Sequence, residues 1–218
     1  MRFFIVRHGE TAWNTEGRFQ GQIDTELNEK GLSQAKLVAQ RLSGKKFDAI
    51  VSSPLKRALH TAREIASTTN HKDIVIENDL IEINHGDWEG CHADQIEAQW
   101  GHLLKKWHKT PELVTMPGAG GESLCDITKR SVSVINQIAD MYNGDVLLVS
   151  HDAVIKVLFC YWTNSPVSSF WRFQIPNCSI SIIEMPQSDS LFPPRLLLMG
   201  DVSHLGNSFS QLQEQKGL

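Results

Sequence analysis

Arg7 and His8 stand side by side directly after the apolar run "FFIV" at residues 3–6, and comparable polar residues follow other apolar runs. Ser53 and Arg57 come after "AIVS" at 49–52, Glu82 after "IVIE" at 74–77, and His151 after "DVLLVS" at 145–150. In parallel α/β sheets, ligands bind beyond the carboxyl ends of the strands, where loops and helix N-termini converge. Two arginines, two histidines and one carboxyl group are therefore expected to meet at one sheet edge. Such a set supplies what phosphoryl transfer requires: a nucleophile, cations for the phosphoryl oxygens, and an acid for the departing alkoxide.

An imidazole is a competent nucleophile near pH 7, because its reference pKa is about 6.5, and it can leave phosphorus again when water attacks. A phosphate monoester carries about −1.5 to −2 charge, which two guanidiniums match with multidentate contacts. Arg7 and Arg57 suit that task, His8 the attack, His151 a further hydrogen bond to the phosphoryl oxygens, and Glu82 the proton donation. Taken singly, each residue also has an ordinary reading as a solvated, capping or satisfied structural group. Their joint placement at several strand exits is what points to chemistry.

The elements that would position these residues alternate between short strand-like runs and longer helical ones, the pattern of a sheet with crossover helices. Strands are predicted at 3–6, 49–52, 74–77 and 145–150, with "SISIIEM" and "RLLLM" closing the fold. A helix over 28–44 places Leu32, Ala35, Val38, Ala39 and Leu42 on one face, with Asn28 as N-cap and Gly44 as its stop. After the second strand, Ser53 is the predicted N-cap and Pro54 the first helical residue, so that Arg57 falls in an opening turn whose free backbone donors favour an anion. Further helices are predicted over about 93–107, 122–142 and 153–162, with 110–121 a loop. The expected fold class is α/β, a three-layer sandwich whose central, mostly parallel sheet is flanked by helices. One domain is expected over 1–218, with its core at about 1–205 and a polar tail at 206–218.

With 218 residues and 41% apolar content, the chain can bury one sizeable core. A formal charge of −4 without any Lys/Arg run leaves neither nucleic acid nor an anionic membrane as an expected partner. Cys91, Cys125, Cys160 and Cys178 form no C-x-x-C pair, and the histidines lack metal-ligand spacing, so no metal or cofactor is expected and the cytoplasm is the expected compartment. The run at 3–6 is too short for a signal-peptide core, and "AVIKVLFCYW" is interrupted by Lys156 and too short to span a bilayer. Trp88, Trp100, Trp107, Trp162 and Trp171 are expected in the core or at an interface, and the apolar segment 158–162 is a candidate homodimer seam.

At "RHGETAWN", "SSPLKRALHTA", "LIEINHGDWEG" and "LLVSHDAVIK" the sequence resembles the histidine phosphatase superfamily, which contains phosphoglycerate mutases and many small-metabolite phosphatases. The resemblance implies a phosphoglycerate mutase-like fold and a metal-independent phosphohistidine mechanism on small phosphorylated metabolites. In it His8 attacks phosphorus, Arg7, Arg57 and His151 hold the phosphoryl group, and Glu82 is the general acid and later the base for water. Asn14 matches a family position near the phosphate, and Gln20 and Gly21 fall in "FQGQID", which resembles a segment that closes over substrate. His85 and His204, together with Phe170-Trp171 and "PNCSIS", resemble the metal-independent phosphoserine phosphatases. Those two histidines then either meet a substrate carboxylate or are ordinary loop residues.

Many relatives follow the second histidine with Gly-Gly, whereas this chain has Asp152-Ala153. Asp152 is expected to point outward as the N-cap of the next helix, leaving its backbone N–H for the phosphate, with direct participation as the alternative. Mutase relatives usually carry a longer insertion after the acid residue, and here "IEINHGDWEG" is short, which favours hydrolysis by admitting water. The expected activity is phosphomonoester hydrolysis, with phosphoserine the best named substrate or with broad specificity. A cofactor-dependent phosphoglycerate mutase and a catalytically inactive phospho-ligand binding module are the alternatives.

Overall fold

Continuous Val/Ile/Leu runs form strands buried on both faces, and this chain places such runs at the centre of its sheet. The computed structural model describes residues 1–69, 71, 73–186 and 191–206. Its strands are β1 (Arg2–Arg7), β2 (Ala49–Ser52), β3 (Ile74–Ile76), β4 (Asp145–Ser150), β5 (Ile180–Glu184) and β6 (Arg195–Asp201), in the spatial order β3-β2-β4-β1-β5-β6. Parallel pairs join β1 to β4, β4 to β2 and β2 to β3, whereas β5 runs antiparallel to β1 and β6 antiparallel to β5. The sheet is mostly parallel, as expected, and β1 and β4 leave it side by side.

The helices are α1 (Ala12–Glu16), α2 (Glu29–Arg41), α3 (Lys56–Thr69), α4 (Ala93–Lys109), α5 (Leu124–Met141) and α6 (Asp152–Trp162). Phe4, Val6, Ile50 and Leu147 pack on Ala35, Val38, Ala62 and Ile65 of α2 and α3. Phe3, Ile5, Val51 and Leu148 pack on Val134, Ile138, Ile155 and Leu158 of α5 and α6. Consecutive β1 residues therefore serve opposite layers, which makes the three-layer sandwich and holds the end of β1 between two cores. Each fully buried aliphatic side chain contributes roughly 1.5–3 kcal/mol to that rigidity. A third apolar cluster, including Phe19, Ile83, Trp88, Ile96, Leu104, Trp107 and Phe170, gathers α4 and the surrounding loops.

Several local expectations are corrected. α3 starts at Lys56, not at Pro54, and the backbone N–H of Lys56 donates to Asp24 Oδ1 at 2.7 Å, so a distant carboxylate takes the place of the predicted Ser53 cap. Asp152 is the first residue of α6 and His151 its N-cap, so Asp152 is not the outward cap expected of it. The short α1, closed by a Thr11/Asn14 capping box, was not anticipated. Leu158, Phe159, Cys160 and Trp162 are buried inside the fold, which leaves only Tyr161 of the candidate dimer seam exposed. Trp88, Trp107 and Trp162 are in the core, as expected.

Segment 110–121 contains a 3-10 turn at Pro111–Leu113, and Val114 and Met116 are buried. Apart from Gly206, the polar tail 206–218 lies outside the described residues. Among the described residues, no helix is long and apolar enough to cross a membrane.

Candidate active site

The end of β1 is fixed by its neighbours before any ligand is considered. His8 N–H donates to the Ser150 carbonyl at 3.0 Å, and the Cys178 N–H donates to the Arg7 carbonyl at 3.0 Å. Asn177 Nδ2 reaches the His8 carbonyl at 2.9 Å. Gly9 has no positive φ. It is small because a Cβ there would sit 2.7 Å from the Gly31 carbonyl oxygen, and one on Gly31 would sit 2.0 Å from that of Glu10. Two glycines thus let α2 press against the backbone that carries His8.

His8 Nδ1 lies 2.7 Å from the Gly9 carbonyl, an acceptor that fixes the proton on Nδ1 and leaves the lone pair on Nε2. Burial, with the Arg57 and Arg7 charges adding to it, holds the His8 pKa well below its ordinary value. The imidazole is therefore neutral and oriented at neutral pH. The His151 ring lies 5.1 Å from that of His8, and its Nε2 is 2.7 Å from Ser53 Oγ. Because Ser53 Oγ also accepts from the Leu55 N–H at 3.4 Å, its hydroxyl proton is available to His151 Nε2, which places the ring proton on Nδ1. Among the described residues, His151 Nδ1 has no hydrogen-bond partner.

Arg57 is buried with its guanidinium held by the loop after α1. Its Nη2 donates to the Gly21 carbonyl at 2.7 Å and its Nη1 to the Ile23 carbonyl at 2.9 Å. Burial lowers its pKa to about 10, which leaves it a cation at neutral pH. Arg7 Nη1 donates to the Ile175 carbonyl at 2.6 Å and approaches Asp152 Oδ1 at 3.4 Å. Glu82 accepts from the Ile83 N–H at 2.9 Å and from the Ala153 N–H at 3.4 Å. Burial first, and then the charge of Asp152, raise its pKa above the ordinary carboxyl value.

Arg7, His8, Asn14, Gln20, Gly21, Arg57, Glu82, His85 and Asp152 line one cavity of about 270 Å³. Asn14 Oδ1 already accepts from Thr11 N and Asn177 Nδ2, which leaves its amide nitrogen as a donor for an anion. Gln20 Oε1 is likewise taken, by the Thr11 and Thr25 hydroxyls. Gly21 has a φ of +51°, and a Cβ there would collide with Glu89. His151 is buried beside His8 without itself lining the cavity. His204 does not line it either: its Nε2 is bonded to the Cys178 carbonyl at 3.0 Å, bracing the loop behind Arg7 rather than meeting a ligand.

His85 lies edge-on to Phe19 and Trp107 in the cavity wall, and burial lowers its pKa to about 4, so that its imidazole is neutral at neutral pH. Sequence reasoning missed Ser53 as the partner of His151 and Asn177 as the tie to His8. It also missed Lys156, a further lining residue whose Nζ is 2.6 Å from Asp152 Oδ2. The one visible signal for Lys156 was a lone charge within an apolar helix.

A sheet edge that presents an oriented neutral imidazole, a buried and a half-buried guanidinium and a buried carboxyl with a raised pKa in one small cavity is equipped for phosphoryl transfer. The profile of the histidine phosphatase superfamily (branch 1) matches residues 3–192. The chain is 34% identical over 210 residues to phosphoserine phosphatase 1 of Hydrogenobacter thermophilus, covering 96% of both proteins. It is 34% identical over 203 residues to phosphoglycerate mutase-like protein 4 of Arabidopsis thaliana, covering 92% of this chain and 85% of that one. A crystal structure of a phosphoserine phosphatase mutant from Entamoeba histolytica, in complex with phosphoserine, superposes with a TM-score of 0.80 at 30% identity, covering 94% of this chain and 98% of that one. The chain belongs to the histidine phosphatase superfamily and has its phosphoglycerate mutase-like fold. Its enzyme class is phosphoric monoester hydrolase.

Proposed function

We propose that one domain, about residues 1–205, hydrolyses small phosphomonoesters, phosphoserine foremost, through a phosphoryl group carried on His8. The observation that carries this reading is the His8 imidazole, neutral and tied through Nδ1 to the Gly9 carbonyl, with its Nε2 lone pair left for phosphorus. In the first step the Nε2–P bond forms as the P–O ester bond breaks, and protonated Glu82 gives its proton to the departing alkoxide. Arg7, Arg57, Asn14 and the His151 Nδ1–H hold the phosphoryl oxygens. In the second step water attacks phosphorus, Glu82 takes the water's proton, and the N–P bond breaks to restore neutral His8.

Phosphoserine as substrate is supported by the named relatives, and the small cavity suits a metabolite better than a macromolecule. Four free cysteines support residence in the reducing cytoplasm. The test is phosphate release from phosphoserine, 3-phosphoglycerate, sugar phosphates and nucleotides with a chelator present. Turnover of phosphoserine or another small ester is expected to persist, and its complete loss on chelation would remove the metal-independent mechanism. Because one relative is mutase-like, isomerisation of phosphoglycerate outpacing phosphate release would replace hydrolysis by mutase activity.

Glu82 sits on a loop that Arg130 of α5 holds from beneath. Arg130 donates to the carbonyls of Asp79, Ile81 and Glu82 at 2.8, 2.6 and 3.0 Å, and its Nε pairs with Glu122 at 2.8 Å. Losing this positioning residue frees the acid without touching the phosphate cradle. Arg130→Met is expected to lower kcat on an alkyl phosphate about 10- to 100-fold while KM stays nearly constant. The same substitution should lower unfolding stability by about 2–3 kcal/mol. Steady-state kinetics with a denaturant titration checks both, and a rise in KM without a fall in kcat would show that Arg130 acts on binding instead.

A further inference from the structure

Lys156 is an anomaly of placement. Residues 153–160 of α6 are otherwise apolar and buried, and Lys156 is buried among them at 4% exposure. An apolar residue of similar volume commonly stabilises such a position better than a buried ion pair does. The ammonium nevertheless lies in the cavity wall, 5.0 Å from the Phe170 ring centroid and 4.8 Å from that of Trp171. These two aromatic walls flank the charge, and its burial keeps water from it, which strengthens whatever the charge meets.

Among the described residues, the carboxylate paired with Lys156 is Asp152, at 2.6 Å, and Asp152 also reaches Arg7 at 3.4 Å. The pair therefore sits directly beside the phosphate-binding arginine. It is not needed for the phosphoryl group itself, since a carboxylate next to a dianion is repulsive unless it has another task. An ammonium has three donors and a carboxylate about four acceptor positions, so both partners keep capacity after meeting each other.

We propose that Asp152 and Lys156 form a subsite for the α-amino acid group of a phosphorylated amino acid, with Asp152 accepting from the substrate ammonium and Lys156 donating to its carboxylate. This rests on the phosphatase reading above and names the substrate class for the same cavity. A zwitterion of opposed charges is the complement of an ion pair of opposed charges, and Arg7 links that pair to the phosphoryl site. A short substrate with its phosphate a few bonds from both charges fits a cavity of about 270 Å³. Neutral His85, on the same wall, adds a hydrogen bond rather than a charge.

The experiment compares kcat/KM for phosphoserine, for 3-phosphoglycerate with a carboxylate and no ammonium, for phosphoethanolamine with an ammonium and no carboxylate, and for ethyl phosphate with neither. The unchanged protein should prefer phosphoserine over ethyl phosphate by about 10- to 100-fold or more, the factor for charged hydrogen bonds lost from a buried site. Lys156→Met should erase the advantage that the two carboxylate-bearing esters hold over phosphoethanolamine and ethyl phosphate. Asp152→Asn should penalise the two ammonium-bearing esters most.

Equal turnover of phosphoserine and ethyl phosphate by the unchanged protein would overturn the proposal, as would equal fractional losses on all esters in Lys156→Met. If that variant does not fold, Lys156→Arg, which keeps the cation, should retain the preference for carboxylates, and its loss would also count against the subsite. Ethyl phosphate turned over without preference defeats the subsite alone, whereas no turnover of any ester defeats the phosphatase reading beneath it.

Discussion

His8→Ala is expected to reduce turnover by a factor on the order of 10⁴–10⁶, the scale on which removal of a covalent nucleophile is felt. The size of the effect follows from how completely the site is built around one nitrogen. The Gly9 carbonyl accepts from Nδ1–H, burial together with the Arg57 and Arg7 charges keeps the ring neutral, and Gly9 and Gly31 let α2 close behind it. Alanine keeps the cavity, Arg57 and Arg7, so phosphoserine should still bind while no bond to phosphorus can form. Rapid quenching into alkali after mixing with phosphate-labelled substrate should trap a phosphoprotein in the unchanged enzyme and none in the variant, since a phosphorus–nitrogen bond is acid-labile. A phosphoprotein of undiminished yield in His8→Ala would remove His8 as the nucleophile.

The neutrality of His8 also fixes the direction of its pH dependence. A histidine of ordinary pKa would lose nucleophilicity as pH falls through about 6.5. Here the depressed value moves that loss to more acid conditions. Arg57, lowered only to about 10, keeps its charge throughout the neutral range, so the cradle and the nucleophile are competent together. One burial that depresses both groups is compatible with function because the two start from widely separated ordinary values.

The parts of the fold legible in the sequence are those fixed by local pattern. β2 and β4 occupy the residues their apolar runs mark, and Asn28 caps α2 through the Gly31 N–H as its residue type predicts. The cavity-lining Arg7, His8, Arg57 and Glu82 were legible for the same reason: each sits within a few residues of a strand end, and the parallel order of β1, β4, β2 and β3 brings those ends together. What failed depended on contacts between distant segments. No local pattern reveals that Asp24 meets the first turn of α3, that Arg130 holds the Glu82 loop, or that His204 is occupied by the Cys178 carbonyl.

Asp152 is the instructive intermediate. Its position at a helix start suggested a cap, because a carboxylate near free backbone donors is stabilised there. That reading assumed no competing cation. Lys156, one turn along the same helix, lies 2.6 Å from Asp152 and draws the carboxylate to the cavity side. The i,i+4 spacing was visible in the sequence, yet its weight came from burial, which the sequence showed only as a lysine among apolar neighbours.

Glu82→Gln is expected to lower the rate of phosphoenzyme formation from an alkyl phosphate about 10²–10⁴-fold, the usual contribution of a placed general acid. Glutamine keeps the shape of the side chain and one of its two acceptor oxygens but has no acidic proton for the alkoxide. p-Nitrophenyl phosphate separates the two duties of Glu82, because its leaving group departs as a stable anion and needs no proton. The variant should therefore release a burst of p-nitrophenol at a nearly normal rate, then turn over slowly, since the base for water is missing in the second step. Burial and the neighbouring Asp152 charge keep Glu82 protonated at higher pH than an ordinary glutamic acid. Alkyl ester cleavage by the unchanged enzyme should accordingly persist above the usual carboxyl range and decline as pH rises through the Glu82 value, a limb that Glu82→Gln lacks. Stopped-flow release of p-nitrophenol and a pH profile on phosphoserine measure these outcomes, and an equal loss of the burst and of alkyl phosphate cleavage would assign Glu82 to binding rather than to proton transfer.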